Sequence, residues 1–514
     1  MNREANRESI SQLDTADPYD VCVIGSGPAG GLLSVRLAER GIRTLLLESG
    51  GSLVNWATDK RLKSLAQYEV SGEANYPLTR TTSRLVGGNS NFWTGRCERF
   101  HPTDFVTHPY TPDGNPWPVT FADLEPYYED AEGRLRVRSG PLSEHAPPRR
   151  GHFPVPPRSD VTPLKELMAE AGVTFDDSPT ATPRHALRFF RFHKEILPAF
   201  TRSPRGALIT HATVTRLEHD ADGRVTGALV RTLDGVEGLA RARTYVVCCG
   251  GLHSPRLLLL SRSEHFSRGL GNGHDRVGRG FNEHPSLNVY GRLRHSRATL
   301  SLAHRIARTH QFYEQFRPEG LGAIHAVAIQ SWVFPNHLLR YRLRDVPRHA
   351  LRIASRLLRP TIYLSPTLEM RPVDSNRVTL SPNGRDHFGD PIAHLHLSFS
   401  QDDRRLIDRA RDLTWSTLRR VNATDLEEIE LTWSRHHLGS CRMGTDPKTS
   451  VVDPNLRVHE SPNLYVCGSE VFVTGAAVQP VLTIAALALR LADHLVDGSE
   501  GRASVGSATV SQPA

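Results

Sequence analysis

Three glycines and one acid carry the clearest chemical meaning in the sequence. Gly25-Ser26-Gly27-Pro28-Ala29-Gly30 is a G-x-G-x-x-G run. Its first glycine permits a tight turn, its second lets the backbone approach a pyrophosphate, and its third lets a helix pack closely on a strand. A pyrophosphate placed there meets free N–H groups and the positive end of a helix dipole, about half an elementary charge. Glu48, eighteen residues after Gly30, can accept hydrogen bonds from an adenosine ribose and argues against a 2′-phosphate. The pattern predicts a dinucleotide site without separating FAD from NAD. A glycine-rich turn with no ligand is the alternative, and the flanking elements decide against it.

Those elements are a buried strand over Tyr19–Ile24, a helix over Pro28–Arg40 and a second strand over Thr44–Glu48, a βαβ unit. Pro28 suits the first helical turn, where a missing N–H costs nothing. Further on, Ala212–His219 and Arg224–Thr232 flank a turn and read as a hairpin. Thr244–Cys249 is an apolar strand that runs through Gly250-Gly251 into a leucine-rich helix. The same strand, turn and helix order returns in Leu464–Cys467, Gly468-Ser469 and Leu482–Leu495. Cofactor-type elements thus occur at three separated places, and the segments between them must build something else.

Composition narrows the class. With 514 residues, 38% hydrophobic and 23% charged, the chain can bury a large core. Residues 1–17 and 498–514 are polar and poor in large apolar side chains and read as disordered tails. No run of 18 or more apolar residues and no signal-type segment occurs, so a cytoplasmic location is expected. The six cysteines show no C-x-x-C spacing, which speaks against a disulfide framework and a zinc site; no metal is expected. The formal charge of +8 comes without basic runs interleaved with aromatics, and nucleic acid is not an expected partner.

The segment Arg84-Leu-Val-Gly87-Gly88-Asn-Ser-Asn91-Phe92-Trp-Thr94-Gly95 resembles the flavin-proximal loop of the glucose-methanol-choline (GMC) oxidoreductases, and is most similar to the pyranose 2-oxidase branch, whose pattern reads V-G-G-M-S-T-H-W-T. Four further segments agree in order. Ala212-Thr-Val214 resembles the strand whose valine holds the adenine; Gly251-Leu-His-Ser-Pro255 resembles the second signature; Val277-Gly-Arg-Gly-Phe-Asn-Glu-His284-Pro285 resembles G-x-N-L-x-D-H-P; and His436-His-Leu-Gly-Ser-Cys-Arg-Met-Gly444, with Asn463 to Ser469 and Pro480 to Leu489, resembles the C-terminal signature. The resemblance implies FAD, and an α/β fold in which a discontinuous Rossmann-like FAD domain (18–99, 200–284 and 436–497) interleaves with an α+β substrate domain on an antiparallel sheet (100–199 and 285–435). Leu368 to Leu380 resembles a strand in that roof. Gly25, Ser26, Gly27, Gly30, Glu48, Gly87, Gly88, Asn91, Thr94, Val214, Gly468 and Ser469 are the implied cofactor contacts.

The family's chemistry is oxidation of a CH–OH group. Flavin N5 accepts the hydride, and the protein supplies a base, a task suited to histidine with its ordinary pKa of about 6.5. His436 matches the family's catalytic histidine; without the motif it would read as one interior histidine among 25. The second catalytic position, Asn or His in the family, is Gln479, an amide that can donate to a developing alkoxide but cannot take its proton. Phe92 stands where pyranose oxidases carry the histidine bonded to flavin, so non-covalent FAD of lower potential is expected. Thr94 can contact the N5–O4 edge or serve as a loop hydroxyl. Cys467, where many members have Asp, reads as packing.

The implied function is FAD-dependent oxidation of a sugar, glycoside, cyclitol or similar polyol, with oxygen or a quinone or protein carrier as electron acceptor. A non-redox lyase of hydroxynitrile lyase type and a non-catalytic flavoprotein are the alternatives. The latter would act through 337–360, which carries seven arginines against one acid and reads as a basic amphipathic helix: packed on the roof in the plain reading, against a membrane or acidic partner in the other.

Overall fold

The computed structural model describes residues 2–5, 8, 10, 13, 17–73, 76, 81–157, 161–184, 189–293, 305–331 and 361–506. The arginine-rich stretch 337–360 lies outside them.

Tyr19–Ile24 is a strand because its apolar side chains are buried on both faces, as a central parallel strand requires. It is flanked by Thr44–Leu47 and Ala242–Val247, and the sheet is completed by Gly206–Thr210, Leu464–Val466 and Asn2–Glu4, all parallel. Helix Pro28–Glu39 follows the first of these strands. The third glycine of the fingerprint allows that packing: a Cβ on Gly30 would stand 2.0 Å from the Gly25 carbonyl oxygen. Gly25 itself has φ +103°, the region in which only glycine is unstrained. Helix Val481–Gly506 packs on Pro28–Glu39.

A second sheet of six strands, each pair antiparallel, runs Thr424–Trp433, Pro285–Arg292, Thr361–Leu368, Ile324–Ser331, Arg305–Thr309, Asp176–Asp177. Helix Gln401–Arg420 covers it, started by a capping box in which the Ser400 and Asp403 side chains satisfy each other's backbone N–H. Thr213–His219, Val225–Arg231 and Glu237–Ala240 form a separate meander.

Two expectations need correction. The amino terminus is not a free tail: Asn2–Glu4 adds an edge strand, and Ile10 and Leu13 are buried, with the Ile10 carbonyl against Gly238. At the other end the last helix runs on to Gly506. Two isolated apolar residues among polar ones show no period, so the sequence carried no signal of their burial. Leu368 to Leu380 is likewise not one strand. It ends Thr361–Leu368 in the large sheet, turns, and enters Arg377–Arg385, which pairs with Pro391–His396 in a small sheet that also takes Tyr68–Ser71.

Candidate active site

The carboxyl ends of the parallel strands open into a cavity of about 520 Å³, where ligands bind in open α/β sheets. Its walls include Gly25, Ser26, Gly27, Glu48, Gly88, Thr94, Val214, Gly468 and Ser469, and also His436 and Gln479. The separated motifs therefore face one space. Gly30, Gly87 and Asn91 do not line it and act behind the wall. Gly30 packs on Gly25, the Gly87 N–H donates to Ser26 Oγ at 3.1 Å, and Asn91 Nδ2 ties the loop by donating to the Val86 and Gly88 carbonyls at 3.0 and 2.9 Å.

Several features of this wall suit a dinucleotide. The helix cap is Gly27, so no side chain competes for the first-turn N–H groups, and a Cβ there would meet nothing within 4 Å. Glu48 accepts from Ser26 N at 3.0 Å, Ser26 Oγ at 2.6 Å and Gly50 N at 3.0 Å. It thereby staples the glycine turn to the next strand. Arg84, which the sequence reading passed over, places a guanidinium near Glu48; its Nε is buried with no hydrogen-bond partner among the described residues, a donor suited to a diphosphate oxygen. Phe92 is 54% exposed and lines the cavity, a surface that a flat ring system would cover. The pocket thus fits FAD, with no nucleophilic atom at position 92. Glu48→Ala will free three donors and weaken FAD binding by about ten- to a hundredfold, since each hydrogen bond to a charged group contributes about 1.5–3 kcal/mol and part of the loss is made up by water. The ratio of flavin to protein absorbance after dialysis measures it.

At the other end, His436 sits just beyond strand Thr424–Trp433. Its backbone N–H donates to Glu283, as does that of Arg435 at 3.0 Å, and the Leu438 and Asn282 backbones exchange two hydrogen bonds of 3.1 Å. The Phe281 to Pro285 segment is thereby laid alongside His436, and with it comes His284, to which the motif alone assigned no role. Nε2 of His284 lies 3.0 Å from the Gly475 carbonyl oxygen, and its Nδ1 lies 2.8 Å from Nδ1 of His436.

These two contacts determine the tautomers. A carbonyl only accepts, so His284 Nε2 carries the hydrogen and His284 Nδ1, in a neutral ring, is an acceptor. His436 Nδ1 must then donate to it, which leaves the lone pair of His436 on Nε2. Both rings are neutral near pH 7. Burial pushes His284 down to about 4, and burial with the neighbouring His284, His437 and Arg96 holds His436 well below the ordinary histidine range. His437, also buried, is pushed down to about 3 and packs beside Tyr76 and Phe281.

Gln479 is oriented in a similar way. Arg308 Nη1 donates to its Oε1 at 2.8 Å, so the amide Nε2 is the group left for the cavity. Arg308 is fully buried, donates through Nε to Ser178 Oγ at 2.7 Å and pairs with Glu98 at 2.5 Å. Burial lowers its pKa to about 9, which keeps it charged at neutral pH. Thr94 is exposed to the cavity. Cys467 is buried, its N–H donating to the Val247 carbonyl at 2.9 Å, an interior strand-end residue.

The neighbourhood of known proteins agrees with this geometry. Residues 20–270 match a family model for FAD dependent oxidoreductases and residues 372–488 one for GMC oxidoreductases. The chain is 30% identical to the 6'''-hydroxyparomomycin C oxidase of Streptomyces lividus, covering 96% of this chain and 94% of that one. It is 24% identical to the pyranose 2-oxidase of Tricholoma matsutake, over 82% of this chain and 74% of that one. Among solved structures, pyridoxine 4-oxidase from Mesorbium loti superposes with a TM-score of 0.65 at 20% identity, covering 93% of this chain and 99% of that one. A dinucleotide cradle, a roof of antiparallel strands and a histidine between them are thus joined to a full-length likeness, and the chain belongs to the GMC oxidoreductases, enzymes that work with FAD.

Proposed function

We propose that the protein oxidises a secondary or primary alcohol of a sugar-like polyol, with His436 as the base and Gln479 as the donor to the substrate oxygen. The observation that carries this reading is the hydrogen bond from His436 to His284, which leaves a neutral imidazole lone pair in the same cavity as the glycine turn. Names of relatives support the substrate class: a 6'''-hydroxyparomomycin C oxidase and a pyranose 2-oxidase are among them.

FAD, when bound, supplies the hydride acceptor. The chain's own residues handle the proton and the charge. His436 Nε2 takes the hydroxyl proton, and the new N–H is balanced by the hydrogen bond that His284 Nδ1 still accepts. Negative charge then developing on the substrate oxygen faces the Gln479 amide, which Arg308 holds with its donor side outward. A preorganised donor of this kind acts without having to be reoriented at the moment of reaction. The electron acceptor that restores the enzyme is oxygen, a quinone or a protein carrier.

Gln479→Leu removes that donor and leaves Arg308 without its amide partner. The expected result is a kcat about ten- to a hundredfold lower, with a smaller change in KM, because the hydrogen bond strengthens as the charge forms. Steady-state kinetics on one oxidised sugar measures the split. The proposal as a whole is tested by incubating the holoenzyme with simple polyols and monosaccharides and identifying the products. A new carbonyl, with matching consumption of oxygen or an artificial acceptor, supports it; cleavage of a carbon–carbon bond without electron transfer points to lyase chemistry instead.

A further inference from the structure

Arg96 follows the loop that carries Phe92 and Thr94, and its side chain lines the same cavity as His436 and Gln479. Its backbone is held in an isolated bridge with Thr180. Its guanidinium makes no hydrogen bond and no ion pair among the described residues. The acid nearest in sequence, Glu98, is fully buried and already paired with Arg308 at 2.5 Å. Tyr363, the other group that acts on Arg96 electrostatically, donates its hydroxyl hydrogen to Asn288.

Among the described residues, the charged side chains that line this end of the cavity are basic, Glu283 lying behind the wall on the backbone N–H groups of Arg435 and His436. Arg96 and Arg435 line it near His436, whereas the carboxylates of the cavity wall are Glu48 and Glu470. Glu48 is engaged by the glycine turn and Glu470 accepts from Ser254 Oγ at 2.6 Å, both at the ends of the parallel strands. The Arg96 guanidinium is half-buried and open to the cavity, with donors that no described residue takes and a ligand there can accept. Arginine's planar fork matches a carboxylate or phosphate bidentately.

Resting on the reading of this cavity as an alcohol-oxidising site, we infer that the substrate bears an oxyanion, a carboxylate or a phosphate monoester, that docks on Arg96. The same charge disfavours substrates whose ammonium groups would lie at this end of the cavity.

The test uses the FAD-loaded enzyme and ring-sized probes without a hydroxyl, so that binding is read apart from turnover. The probes are cyclohexanecarboxylate, cyclohexyl phosphate and cyclohexylamine, titrated by calorimetry with the flavin spectrum followed in parallel. At least one anion is expected to bind at least ten times more tightly than the amine, and the stronger of the two identifies the oxyanion. In Arg96→Gln that advantage is expected to fall at least tenfold, and Arg96→Lys, keeping the charge, to retain part of it; the flavin content of each variant reports folding. Anions that bind no better than the amine, or an Arg96→Gln enzyme with unchanged anion affinity, overturn the inference. So does an Arg96→Gln enzyme in which only the flavin midpoint potential moves, since Arg96 would then serve the cofactor. Oxidation of neutral polyols without any anion preference removes this inference alone. Failure of every alcohol, neutral or anionic, to reduce the flavin removes the functional reading beneath it.

Discussion

His436→Ala is expected to slow reduction of the flavin by alcohol by about 10³- to 10⁴-fold, the upper part of what a positioned general base contributes. FAD content should be unaltered, since the glycine turn and Glu48 are untouched. The residue cannot be replaced by its neighbours. His437 is buried among aromatic rings, and His284 spends its N–H on the Gly475 carbonyl and its lone pair on His436. The same arrangement sets a pH dependence. As the proposed base His436 works unprotonated, and burial with nearby positive charge lowers its pKa, so the active form is expected to persist to lower pH. The acid limb of kcat/KM should lie clearly below pH 6.5, and an acid limb at or above the ordinary histidine value would contradict the description of the site.

His284→Leu should lower the rate by about a hundredfold, part of the general-base contribution, without touching substrate or cofactor. In the proposed mechanism His284 is a positioning residue, through its contact with His436. Without its Nδ1, nothing in the observed hydrogen bonding keeps the hydrogen of His436 on Nδ1, and the ring is free to adopt the tautomer with hydrogen on Nε2, which cannot accept a proton. A structural role alone would lower yield and stability uniformly. The tautomer role instead predicts a kcat effect with a small change in KM, and partial recovery in His284→Gln, whose Oε1 can accept from His436 Nδ1. Nitrogen-15 shifts of the His436 ring in wild-type and variant enzymes read the tautomer directly.

What the sequence disclosed followed the range of the interactions. The glycine turn and Glu48 were legible because each glycine answers a local backbone need, and the structure places Glu48 on Ser26 at a spacing of twenty-two residues. His436 was singled out through its motif, and the structure places it on the cavity wall. Its partner His284 stands 152 residues away, and the Arg308 that orients Gln479 stands 171 away. No periodicity or propensity connects such pairs: His284 meets His436 through the pairing of Pro285–Arg292 with Thr424–Trp433, and Arg308 reaches Gln479 from strand Arg305–Thr309 of the same antiparallel sheet. The His284 motif could have been a signal, because a histidine before the proline that opens a roof strand lies where the two sheets meet. The edge strand Asn2–Glu4 was hidden for another reason. Its three polar residues are held by backbone pairing with Gly206–Thr210, which side-chain pattern does not reveal.

The most direct test is an anaerobic visible spectrum of the FAD-loaded enzyme before and after addition of a sugar-like alcohol, repeated with deuterium at the reacting carbinol carbon. The site predicts bleaching of the oxidised flavin, slowed about several-fold by deuterium because the C–H bond breaks in the step His436 assists. A spectrum unchanged by neutral, anionic and amine-bearing polyols alike would contradict it.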